Sequence, residues 1–234
     1  MCVTATLRQS SSDSGLDEIM AQPELSETLK TKLLDSNAIP RDVTLGGITY
    51  TVDRPVTAGF KGAVWQVKDH FGRPRALKLA IEADYETRSY LQEISYIAKL
   101  DAYPQFARFV DAGIVEIEVA NDHHRFVGFV EEWIEGYTLE CFLDRHPDEI
   151  TVSFLRAFIG TGCEILQSLG DATLCHDDLH ARNVMITPLK GSLEPVYGIK
   201  VIDMGSMKPA GTSKKPVDDL RHIVNHLVLI CNVI

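Results

Sequence analysis

At 234 residues, 45% hydrophobic and 24% charged, the chain has material for a real core and the balance of a globular rather than a disordered protein. A formal net charge of -10 argues against nucleic acid or an anionic membrane as a general partner, since both call for a cationic surface. The cysteines form no CxxC pair and no zinc-spaced cluster, no charged leader precedes an apolar start, and the longest apolar run, Leu227 to Ile234, is short and broken by Asn232, so a soluble cytoplasmic protein with reduced thiols is expected.

In chain order, the stretch MCVTATLRQSSSDSGLDEIMAQ is small and polar and reads as a loose leader. PELSETLKTKLLDSN then spaces Leu25, Leu29 and Leu33 four apart, which predicts one appended amphipathic helix between Pro23 and Asn37, within a leader region 1–43. From about Thr44 the chain turns to β-branched and aromatic runs, VTLGGITYTV, GAVWQVKDHFGRPRALKLA and VDAGIVEIEVANDHHRFVGFVEEWI, joined by turn signals. A single helix, ADYETRSYLQEISYIAKL, interrupts them, with Leu91, Ile94 and Ala98 on one face and Glu93, Ile97 and Leu100 on another.

The second half reverses the pattern. TLECFLDRH and TVSFLRAFIGTGCEILQSLG read as helices, the longer capped by Thr151 and Gly170 and weakened inside by Gly160 and Gly162. Two short strands, NVMIT and GIKVID, precede an apolar helix, VDDLRHIVNHLVLICNVI. The expectation is an α+β fold of two lobes, a strand lobe over 44–133 and a helical lobe over 134–234.

The stretch LCHDDLHARNVMI crowds polar chemistry between apolar flanks. Antiparallel pairing of the two short strands brings Asp203, at the tip of VIDMGS, to Asn183, giving two oxygen ligands for a hard cation such as magnesium. Asp178, five residues before Asn183, stands clear of the cation and can accept a proton from a hydroxyl. Such a cation needs phosphate to share, and VTAGFKGAVWQV supplies a cradle in which Gly59 and Gly62 leave backbone N–H groups open. Lys78, a lone ammonium in RALKLA, needs an anion; Glu93 on the following helix is the natural partner, with phosphate second, and Glu86 is a poorer one.

The ordered set resembles the protein kinase-like family from about Thr44 to Asn232. The family's Gly-rich loop falls on TAGFKGAV with Thr57 in its first glycine place, its strand lysine on Lys78, its helix glutamate on Glu93, H-R-D-L-x-x-x-N on His176 to Asn183 and D-F-G on Asp203, Met204 and Gly205. The resemblance implies ATP and Mg2+ as cofactors, nucleotide contacts at Gly59, Gly62, Val64, Ala76, Lys78, Glu132 and Ile134, metal ligation by Asn183 and Asp203, and catalytic work by Asp178, Lys78, Glu93 and His180. Glu131 takes the place beside the hinge, where a carboxylate needs a partner or must turn outwards.

The departures shape the functional reading. Asp177 replaces an arginine that in many relatives grips a phosphorylated segment, and the stretch after Gly205 is short, which speaks against activation by loop phosphorylation. The leading reading is phosphoryl transfer from ATP to serine or threonine of a protein. His180, where protein kinases usually carry lysine, is shared with small-molecule kinases of the aminoglycoside and choline type, whose acceptor is a small hydroxylated molecule. Asp177 and Glu131 also suit a nucleotide-binding scaffold without turnover. The apolar last helix is expected to be covered by a partner chain, a second copy or further helices.

Overall fold

The computed structural model describes residues 26–58, 62–81, 87–119, 121–189, 196–211 and 216–233. Leu25 and Gly59 lie outside these residues, as do the side chains of Leu91 and Glu93. The N-terminal lobe is a six-stranded antiparallel sheet in the order β1-β2-β3-β4-β6-β5, formed by β1 (Asp42–Leu45), β2 (Ile48–Ala58), β3 (Gly62–Lys68), β4 (Pro74–Ile81), β5 (Phe109–Val119) and β6 (Asp122–Glu132). Leu45 of β1 sits against Gly113 and Gly128, so the sheet curls until one edge meets the other. Its inner face holds a core that includes Val43, Tyr50, Trp65, Leu77, Leu79, Phe126 and Val130.

Helix α1 (Glu27–Leu34) belongs to that core. Ser26 caps it, accepting the Leu29 N–H at 3.2 Å, and Leu29 and Leu33 are buried against the sheet. The indole N–H of Trp65 donates to the Leu33 carbonyl at 3.0 Å, satisfying an orphan acceptor in the helix's last turn. The amphipathic stripe in the sequence is therefore a plug for the strand lobe.

The sheet's other face packs on a second core shared with the C-terminal lobe, which takes in Tyr96, Ile97 and Leu100 of α2 (Thr87–Leu100). Ala98, assigned by its spacing to a packing face, is exposed. Coverage on both faces explains why FVGFV of β6 reads as an unbroken apolar run rather than an alternation.

In the C-terminal lobe, α3 (Leu139–Arg145) and α4 (Val152–Ala172) are capped by Thr138 and Thr151. Gly170 is not the C-cap: the helix runs on to Ala172 and closes at Thr173, which is left-handed at φ 57° and returns its N–H to the Gly170 carbonyl. The suspect Gly162 has a packing role. A side chain there would meet the Ile223 methyl at 3.1 Å, so the glycine lets α5 (Pro216–Cys231) lie close on α4. Helix α5 carries apolar residues on most faces but is only half covered: Asp219, Ile223, His226 and Ile230 are buried, whereas Val217, Leu220, Val224, Val228 and Leu229 are exposed.

Short strands complete the lobe. β7 (Tyr137–Thr138) and β10 (Val196–Val201) flank β9 (Val184–Leu189), and β8 (Leu174–Cys175) pairs with β11 (Lys208–Pro209).

Candidate active site

Two loops and one sheet face converge between the lobes. Leu77 and Leu79 of β4 turn into the inner core, so alternation sends Lys78 to the outer face. The register places Val64, Lys78 and Phe129 on one rung and Ala76 opposite Glu131 on the next but one, all on that face. The Lys78 ammonium lies 2.9 Å from Glu131 Oε2 and 3.3 Å from Asp203 Oδ1. Glu131 is 2% exposed. The partner that its position demands is thus Lys78 itself, an arrangement that motif spacing does not reveal.

Burial alone would make this lysine a weaker base, but Asp203 and Glu131 outweigh it and hold its pKa above the ordinary value. The Glu131 carboxyl is raised, by burial first and with Asp203 adding to it, although Lys78 opposes both. These directions agree physically: two acids share one base in a buried place.

The other loop follows β8. Asp177 is left-handed at φ 64°, as is Asp203 at φ 63°, a conformation that Asp tolerates better than most residues and that tends to persist at functional sites. The carboxylate of Asp219, from the first turn of α5 and 1% exposed, accepts the backbone N–H of His176 at 2.8 Å and of Asp177 at 3.2 Å. His226 on the same helix places Nε2 3.0 Å from the Leu179 carbonyl, and only a protonated Nε2 can satisfy that acceptor. His176 is fully buried, and burial holds its ring neutral with a pKa near 4. Asp177 also binds Lys208 of β11 at 2.8 Å, a lysine–carboxylate pair that ties the loop to the segment after Gly205.

The pairing expected from sequence is present. Val184 opposite Val201 is the last rung of β9 and β10, and beyond it the Ile202 N–H donates to the Asn183 carbonyl at 2.9 Å, which sets Asp203 beside Asn183. The Asn183 side-chain nitrogen donates to the Asp178 carbonyl at 2.9 Å and to its carboxylate at 3.3 Å, leaving Asn183 Oδ1 as the oxygen for a cation. Among the described residues no group of three or more His, Cys, Asp and Glu gathers as a metal cage. A hard cation taken by Asp203 and Asn183 fits this set only with phosphate and water oxygens completing its shell, which is the habit of magnesium.

His180 Nε2 stands 3.6 Å from Asp178 Oδ1, next to the expected base. At the hinge, the Glu132 N–H is taken by the Arg108 carbonyl at 2.8 Å and its carboxylate by Lys200 at 2.7 Å, while Ile134 packs on the shared core. Gly62 is required by the sheet: a side chain there would run into the Leu79 carbonyl of the neighbouring strand. The expected Lys78–Glu93 pairing falls on a side chain outside the described residues.

A family model for protein tyrosine and serine/threonine kinases matches residues 52–219, which takes in most of β2, strands β3 to β6, both loops and Asp219. The chain belongs to this kinase family. It is 25% identical over 141 residues to ephrin type-A receptor 3 of Danio rerio, an overlap of 58% of this chain and 14% of that protein, so the chain spans a small part of this relative's length. Within the kinase fold, Met204 fills the aromatic place of D-F-G as a buried member of the shared core, packed near α2. The contacts of Asp219 with the loop backbone, and the Lys78 partner of Glu131, are what the sequence motifs did not disclose. The doublet Asp218-Asp219 opening an apolar helix was the available signal for the first, although acids there ordinarily serve the helix dipole. No helix among the described residues is long and apolar enough to cross a membrane.

Proposed function

We propose that the chain transfers the γ-phosphoryl group of ATP, with magnesium, to the hydroxyl of serine or threonine in a protein. The observation that carries this reading is the meeting of Lys78 and Asp203 at 3.3 Å beside a loop in which Asn183 holds Asp178. Lys78 binds α- and β-phosphate oxygens, with Val64, Ala76 and the hinge residues Glu132 and Ile134 lining the base. Asp203 and Asn183 hold the magnesium ion, which when bound neutralises charge on the phosphates. Asp178 orients the acceptor hydroxyl in line and takes its proton as the new P–O bond forms and the bond to ADP breaks. His180, at 3.6 Å, steadies the Asp178 carboxylate. The acceptor residue is read directly from the phosphorylated product.

With γ-labelled ATP, magnesium and generic protein acceptors, the wild type is expected to transfer label, to itself or to an acceptor, with mass spectrometry finding phosphoserine or phosphothreonine. Asp178→Asn should cut the rate by about 10²–10⁴, the usual worth of a general base. Transfer at the wild-type rate by that variant refutes the assignment, and phosphotyrosine as the product refutes the acceptor class. Magnesium-dependent ATP binding without transfer in the wild type turns the reading towards a scaffold.

A further inference from the structure

We propose that Glu131 is a positioning residue that anchors Lys78 for the nucleotide phosphates, so that the sheet itself fixes where the lysine stands. This rests on the phosphotransfer reading above. Three observations carry it. Glu131 lies on β6 with its carboxylate 2.9 Å from the Lys78 ammonium, nearer than Asp203 at 3.3 Å. β4 and β6 are inner strands of the six-stranded sheet, joined by an unbroken ladder from Arg75 opposite Glu132 to Ile81 opposite Phe126, so the two side chains cannot drift apart without breaking the sheet. The Glu131 side chain is 3% exposed, and a buried ion pair is seldom retained for stability, since an apolar pair of similar volume packs as well or better.

An ammonium has three donors. Among the described residues one goes to Glu131 and one to Asp203, and phosphate is the further anion that the phosphotransfer reading brings to the lysine. When Asp203 turns to a metal ion, Glu131 still holds the lysine in line. Without Glu131 the lysine has Asp203 as its remaining anion among the described residues, and that contact withdraws both the phosphate ligand and the metal ligand from use. Glu131 acts through Lys78 and touches no reacting atom.

The test uses the full chain as Glu131→Gln, Glu131→Asp, Glu93→Gln, Lys78→Met and the double variant of Lys78→Met with Glu131→Gln. MgATP affinity is read by calorimetry, and kcat and KM by transfer to a generic protein acceptor. Glu131→Gln is nearly isosteric, and melting curves establish that each variant is folded. The expected result is a loss of about tenfold or more in kcat/KM for Glu131→Gln, partial recovery in Glu131→Asp, and no further loss when Glu131→Gln is added to Lys78→Met, with Glu93→Gln reading the contribution of α2 separately. Wild-type kinetics in Glu131→Gln or an additive loss in the double variant overturns the anchor and leaves the phosphotransfer reading in place. A wild type that neither binds MgATP nor transfers phosphate takes down both.

Discussion

The two lobes hold their polar groups by different means. In the N-terminal lobe the charges sit on a sheet whose inner core is closed by α1 and by the meeting of β1 with β5, so Lys78 and Glu131 inherit their places from a ladder. In the C-terminal lobe the loop after β8 has little ladder of its own: β8 and β11 pair over two residues each, and the backbone of His176 and Asp177 hangs on one carboxylate of α5. That helix is itself packed on one face and bare on the other. Rigidity in the first lobe is distributed over many contacts, whereas in the second it rests on a few side chains, Asp219 first, with His226 and Lys208. Damage to the sheet should therefore cost stability first, and damage to the loop should cost order at the site first.

Leu33→Ala tests the first half of this contrast and carries the largest expected effect on stability. Leu33 is wholly buried between α1 and the sheet, and its carbonyl accepts the Trp65 indole N–H. Removing the side chain should cost about 3 kcal/mol, within the usual range for a buried leucine, measured as a lowered urea midpoint with MgATP affinity of the folded fraction little changed. A loss below about 1 kcal/mol would mean that α1 is an ornament on the lobe.

Asp219→Asn tests the second half. The amide keeps one acceptor oxygen and turns an N–H₂ towards the second backbone donor, so one buried N–H is left unpaired, at a cost of about 2 kcal/mol. The more telling readout is local: amide exchange at His176 and Asp177 should quicken well beyond that of the β4–β6 ladder, and phosphoryl transfer should fall because Asp178 sits on the loosened loop. Uniform acceleration across both lobes would show that the loop is not separately held.

How much of this was open to the sequence follows the same divide between local and distant partners. The strands, α2 and the Thr151 cap come from residues within a few positions of one another, and the approach of Asn183 to Asp203 follows from a single short hairpin. The need of Lys78 for an anion was legible from its apolar neighbours. That Glu131 is one such anion was not, because the β4–β6 register joins strands with α2 and β5 between them, and no local pattern encodes that register. Asp219 was hidden for the same reason: its partners lie at His176 and Asp177, across the lobe. Asp177 could be seen to depart from an arginine, but its Lys208 partner appears only when β11 folds back on β8.

Acid sharpens the comparison by separating the lobes in pH. At the β3–β4 turn, Asp69 accepts the Phe71 and Arg73 N–H groups at 2.9 and 3.0 Å and the Arg73 and Arg75 guanidinium groups at 2.8 and 3.0 Å. Burial pushes its pKa up, but the backbone and side chain of Arg73 with the Phe71 N–H outweigh that and bring it down to about 2, from an ordinary 3.8. A carboxylate depressed on folding gives stability that is complete above the unfolded pKa and disappears as pH falls through the folded one. The difference in urea midpoint between wild type and Asp69→Asn should therefore be constant from neutral pH to about 5, then shrink between about pH 4 and 2. Because Arg73 is more than half exposed, solvent screens the pair and the difference should be about 1 kcal/mol. His176 in the other lobe is also depressed, by burial, to about 4, so its contribution is complete above its ordinary 6.5 and fades between there and about 4. The loop's window thus closes before the turn's opens. A difference curve for Asp69→Asn that bends above pH 5 would place its cause outside this carboxylate.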